Sequence, residues 1–97
     1  MSSTIWKFQT NGGNISLREG DTDIEVPLYS ISLSAGLDPQ GRLCIWMMVD
    51  PNREEKETKR VYVRGTGHDC TELDTSSVKF LGSVLDRSYV WHVFIDV

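Results

Sequence analysis

Apolar residues along the chain recur with a period of two rather than the 3.6 of a helix, the pattern of strands with one buried and one solvated face. Ile5-Trp-Lys-Phe predicts a short first strand. Asn11-Gly-Gly-Asn is a turn signal, because glycine and asparagine reach positive φ readily, and it predicts a hairpin to Ile15-Ser-Leu. Ile24, Val26 and Leu28 alternate with Asp23, Glu25 and Pro27. The proline has no N–H to give a ladder, so this strand is bulged or lies at a sheet edge. Ile31 and Leu33 alternate with Ser30, Ser32 and Ser34, and the glycines and proline of residues 35–41 are expected to end that strand.

Leu43-Cys-Ile-Trp-Met-Met-Val departs from alternation: it is apolar on both faces, as expected of a central strand covered on each side. Residues 52–60 are charged and have no apolar face, which predicts a flexible connection. In the strand that follows, Val61 and Val63 point one way and Arg60, Tyr62 and Arg64 the other. Residues 68–77 are polar and read as irregular. Val78-Lys-Phe-Leu-Gly-Ser-Val-Leu and Tyr89-Val-Trp-His-Val-Phe-Ile then form a closing antiparallel pair, the second again apolar on both faces. The fold class is all-β and mainly antiparallel, a small sandwich or open barrel of six to seven strands with little helix, in a single domain over residues 1–97. The two doubly apolar strands cannot put both faces into one small core, so a homo-oligomer that buries part of the second face is expected.

Composition narrows the classes of function. With 97 residues, 39% apolar and 25% charged, the chain has the make-up of a folded globular domain. A net charge of −4 argues against a duplex nucleic-acid partner, which requires a basic stripe to displace phosphate counterions. No apolar run reaches the roughly 20 residues of a membrane span, and the start lacks the form of a signal peptide, so no membrane partner and a cytoplasmic location are expected. Two cysteines without a secretory signal read as reduced thiols, Cys44 buried in its strand. Two histidines and no Cys-x-x-Cys pair leave no metal site and no cofactor to expect.

The candidate chemistry lies at Arg64-Gly-Thr-Gly-His. The amides of Gly65 and Gly67, the Thr66 hydroxyl, a bidentate Arg64 and a donor from His68 have the make-up of an anion nest suited to phosphate. A tight turn leaving a strand accounts for the same two glycines. Arg60 and Tyr62 share the strand face with Arg64 and are placed to meet a ribose or a base. Trp46 and Trp91 are read first as core or interface, and second as stacking surfaces that close a shared pocket. His68 and His92 as a general acid and base are a weaker alternative, since nothing in the sequence brings them together. The acidic residues of the charged connection read as a solvated loop.

Several stretches together resemble a family of small bacteriophage-encoded β-rich proteins of undefined function: Thr-Ile-Trp-Lys-Phe, Ile-Glu-Val-Pro, Gly-Arg-Leu-Cys-Ile-Trp-Met-Met-Val-Asp-Pro, Thr-Lys-Arg-Val-Tyr-Val-Arg-Gly-Thr-Gly-His and Trp-His-Val-Phe. The chain departs from that family after His68, where Asp69-Cys-Thr-Glu replaces the usual prolines. The resemblance implies an anti-defence protein, similar in size and expected oligomerisation to phage sponges for nucleotide immune signals. The expected function is then sequestration, without cleavage, of a nucleotide-derived signal such as a cyclic ADP-ribose-type molecule or a cyclic dinucleotide. The alternatives are a protein–protein inhibitor of a host factor, using residues 52–57 and an exposed apolar face, and a phosphodiesterase using His68 and His92.

Overall fold

The longest apolar run forms the centre of the first of two sheets. In the structure, a computed structural model that describes residues 3–10 and 18–97, β4 (Leu43–Val49) lies between β1 (Thr4–Gln9) and β3 (Ile31–Leu37), antiparallel to both. The second sheet has the order β2 (Gly20–Pro27), β5 (Lys56–Gly65), β7 (Tyr89–Asp96), β6 (Val78–Asp86), again antiparallel throughout. The protein is an all-β sandwich, and among the described residues there is no helix long and apolar enough to cross a membrane. The expected hairpin from Asn11 to Leu17 lies outside the described residues.

Side-chain parity decides what the sandwich buries. Leu43, Ile45, Met47 and Val49 from β4 face Ile24 and Val26, Val61 and Val63, Leu81 and Val84, and Trp91, Val93 and Ile95 from the second sheet. The two sheets approach most closely where β3 crosses β6: Lys79 Nζ donates to the Ser32 carbonyl at 2.6 Å, and a Cβ at Gly82 would lie 3.7 Å from the Ala35 carbonyl oxygen. Pro27 is the last residue of the edge strand β2, where no ladder bond is lost.

Two strands run further than their sequence implies. β3 continues to Leu37 instead of stopping at Ala35, because Leu37 and Ala35 both pack inward and the turn is tightened beyond them by Asp38. A bulge between Ser32 and Ser34 breaks the alternation and leaves Leu33 exposed. The charged segment likewise becomes ladder from Lys56 onwards, since β2 pairs with it in register from Pro27↔Lys56 to Gly20↔Val63. On the side that Val61 and Val63 share, Glu57 and Lys59 pair with each other at 3.2 Å, so the strand extends past the apolar core without an apolar face. Cys44 and Cys70 are both free, the first buried and the second exposed.

Candidate functional site

Parity places Arg60, Tyr62 and Arg64 together on the outward face of the four-stranded sheet, as the alternation predicts. The neighbouring strands supply each with an acid, β2 for the two arginines and β7 for the tyrosine. Arg60 Nε donates to Asp23 Oδ1 at 2.9 Å, Arg64 Nη1 to Asp21 Oδ1 at 2.7 Å, and the Tyr62 hydroxyl to Asp96 Oδ1 at 2.7 Å. These bonds raise the pKa of both guanidiniums and of the Tyr62 phenol and lower that of Asp23. Their partners went unseen in the sequence because Asp21 and Asp23 become neighbours only once β2 pairs with β5, through Asp21↔Tyr62 and Asp23↔Arg60. On the same face His92 is held at both ring nitrogens, Nε2 by Thr66 Oγ1 at 2.7 Å and Nδ1 by Ser83 Oγ at 2.8 Å.

The two-glycine loop is built as a turn. The His68 amide donates to the Gly65 carbonyl at 3.1 Å and the Thr66 amide to the Val90 carbonyl at 3.2 Å, so the amides on either side of Gly67 are spent on closing the turn. Gly67 takes φ 82°, which glycine allows without strain. Gly65 matters for a different reason: the His68 ring folds back over it, and a Cβ there would sit 2.7 Å from the imidazole. His68 therefore lies towards the inward side of the sheet, with Nδ1 2.8 Å from Glu19 Oε2 and its ring edge-on to Trp91 at 6.3 Å. Glu19 also lines the groove beside Arg64, whereas His92 has Thr66 and Ser83 as its partners. The two histidines are thus held by different partners, His68 by Glu19 and His92 by Thr66 and Ser83.

Two concavities flank the turn. A groove of about 430 Å³ beside Arg64 is lined by Glu19, Asp21, Asp69 and Glu72, four carboxylates to one guanidinium, which repels phosphate. Among the described residues no group of three His, Cys, Asp or Glu is disposed to hold a metal ion. The other concavity, about 300 Å³, lies on the His68 side between the turn at Gly65 and Thr66 and the start of β7, where Tyr89 and Trp91 form its aromatic wall. Their rings stack at 5.9 Å with 27° between planes. Trp91 is only 8% exposed, and its indole Nε1 is buried with no hydrogen-bond partner. Gly65, Thr66, His68 and Trp91 of the expected set meet here. Tyr89 was missed, although its spacing of two from Trp91 puts both rings on one side of the strand.

Trp46 is elsewhere. It lies on the outward face of the three-stranded sheet, its ring over Gly36, where an added Cβ would come within 3.2 Å of Cζ3. The acids of the charged segment are partly committed, Glu57 accepting from the Tyr29 amide at 2.9 Å and pairing with Lys59 at 3.2 Å. Gly65→Ala tests the geometry of the turn: the ring can swing away, so thermal stability is expected to change little while the His68–Glu19 contact is lost. Proton-detected imidazole resonances check this, and an unshifted His68 signal would contradict the packing.

A family model described as Domain of unknown function (DUF7352) matches residues 1–97. No curated protein and no solved structure matches the chain.

Proposed function

We propose, for a chain that belongs to the family Domain of unknown function (DUF7352) and takes no activity from that description, that it is a non-catalytic binding protein. It holds the base or nucleoside part of a nucleotide-derived signal in the pocket between the turn over residues 65–68 and the ring pair of Tyr89 and Trp91. The observation that carries this reading is the ring pair of Tyr89 and Trp91, stacked at 5.9 Å along the wall of that pocket beside His68. Stacking on an aromatic side chain adds about 1–3 kcal/mol per base.

The charges dictate how phosphate enters. Arg60 and Arg64 are paired to Asp23 and Asp21, so a phosphate must compete with a carboxylate already in place. Recognition therefore rests on the ring and its edges, and the nucleoside is expected to bind within about tenfold of its nucleotide, with weak dependence on salt. Sequestration of a phage-infection immune signal, the role implied by the resemblance, belongs to this proposal and requires only stoichiometric binding.

Calorimetry with nucleosides, their nucleotides, cyclic dinucleotides and a cyclic ADP-ribose-type molecule tests it. His68→Ala and Tyr89→Ala are expected to weaken binding at least about tenfold, and Arg64→Ala about twofold. Failure of every compound at millimolar concentration sinks the proposal. Loss on Arg64→Ala with retention on His68→Ala would move the site to the outward face.

A further inference from the structure

The outward face of the three-stranded sheet is apolar where a solvated sheet alternates to polar. Register aligns Ile5, Met48 and Ile31 in one row across β1, β4 and β3, with Ile5 57%, Met48 37% and Ile31 56% exposed. Beside this row Tyr29 is 73% exposed and held at φ 67°, a left-handed conformation that a bulky side chain adopts at a cost. The turn over residues 27–30, closed by the Ser30 amide on the Pro27 carbonyl at 3.2 Å, favours glycine at that position. Arg53 lies over the Tyr29 ring at 5.1 Å, and a groove of about 240 Å³ runs from these two to Ile31 and Met48. A strained, exposed aromatic braced by arginine at the end of an apolar row has the composition of an interface anchor.

Charge selects the occupant. The chain carries a net −4, and Glu19, Asp21, Asp23, Asp69 and Glu72 gather on or beside the four-stranded sheet. Two copies meeting there would oppose carboxylates. On the three-stranded sheet the centre of the face is uncharged, and Asp38, its side chain 1% exposed, is neutralised by Lys7 and Arg42. We propose that this face is where two copies of the chain pack, sheet on sheet, about a two-fold axis running along β4. That axis sets Met48 against its own copy and Ile5 against the partner's Ile31, and it places Lys7 opposite a serine rather than a like charge. The apolar surface removed from water in the pair is on the order of 1,000 Å², the lower bound of a specific interface.

Sedimentation equilibrium without any ligand tests this apart from the nucleotide-binding proposal. The wild type is expected to dimerise below about 100 µM. Ile31→Lys is expected to weaken the dimer at least about tenfold, and Tyr29→Gly to weaken it without lowering the monomer's thermal midpoint. Met48→Cys in a Cys70→Ser background is expected to form a disulfide-linked dimer on mild oxidation. A wild type that stays monomeric overturns the proposal, whether or not a host protein covers the face. So does a dimer that survives Ile31→Lys and fails to cross-link through Met48→Cys.

Discussion

Ile45→Ala is expected to lower the unfolding free energy by about 2–5 kcal/mol, whereas Met48→Ala, three residues along the same strand, lowers it by about 1 kcal/mol or less in the monomer. The difference follows from the face each side chain occupies. Ile45 is fully buried between the sheets among Met47, Val61, Val93 and Ile95, and its removal leaves a cavity that a two-layer core cannot close. Met48 points outward and keeps more than a third of its surface in water. A domain of this length has a total stability of roughly 5–15 kcal/mol, so the first change consumes much of it and the second little. Urea unfolding with an unchanged m-value checks both. Equal losses at the two positions would mean that the outward face is as buried as the core. For the dimer, Met48→Ala acquires a concentration-dependent loss that Ile45→Ala does not share, which separates folding from association.

That both faces of Leu43-Cys-Ile-Trp-Met-Met-Val are apolar was legible in the sequence, and so was the central position it implies, because a strand buried on two sides has no other home. Ile24 and Val26, Val61 and Val63 likewise declared their inward side by alternation alone. The reach of β5 was not legible: Lys56-Glu-Thr-Lys-Arg has no apolar face, and its strand form comes from the ladder that β2 offers across the sheet. The same long-range pairing hid the ion pairs of Arg60 and Arg64, whose acids lie about 40 residues away. Local sequence placed Arg60, Tyr62 and Arg64 on one face correctly. What local sequence could not show is that His68 folds back over Gly65 to meet Glu19 and the edge of Trp91. The part of the candidate site that survives as a pocket is the part fixed by strand parity, Gly65 and Trp91 being register partners.

Asp38→Ala is expected to lower the thermal midpoint by about 5–10 °C, although the residue belongs to no strand and no site. Its carboxylate organises the turn that joins β3 to β4: Oδ1 accepts from the Gln40 and Arg42 amides, both at 2.9 Å, and Oδ2 from Arg42 Nε at 3.1 Å. The backbone closes around it, the Asp38 amide donating to the Arg42 carbonyl and the Gly41 amide to the Asp38 carbonyl, each at 2.9 Å. Lys7 Nζ at 3.5 Å adds a tie to β1, so one side chain joins all three strands of the sheet. The bonds from the Arg42 and Gln40 amides and the Arg42 guanidinium hold the Asp38 pKa at about 2, below its ordinary 3.8. Between these values the folded chain binds fewer protons here than the unfolded chain does, so stability rises with pH in that window. The contribution is complete above about pH 5 and is lost as the pH falls towards 2. Asp38→Asn keeps the side-chain shape and one acceptor oxygen but removes this titration, so its stability curve is expected to lie below the wild type at pH 7 and to converge on it near pH 2. Asp23, Glu57, Asp69 and Asp74, whose pKa values are also lowered, titrate alike in both proteins and cancel in the difference. Chemical denaturation across pH 2–7 measures that difference, and a gap that stayed constant down to pH 2 would show that the Asp38 charge does not hold the hairpin.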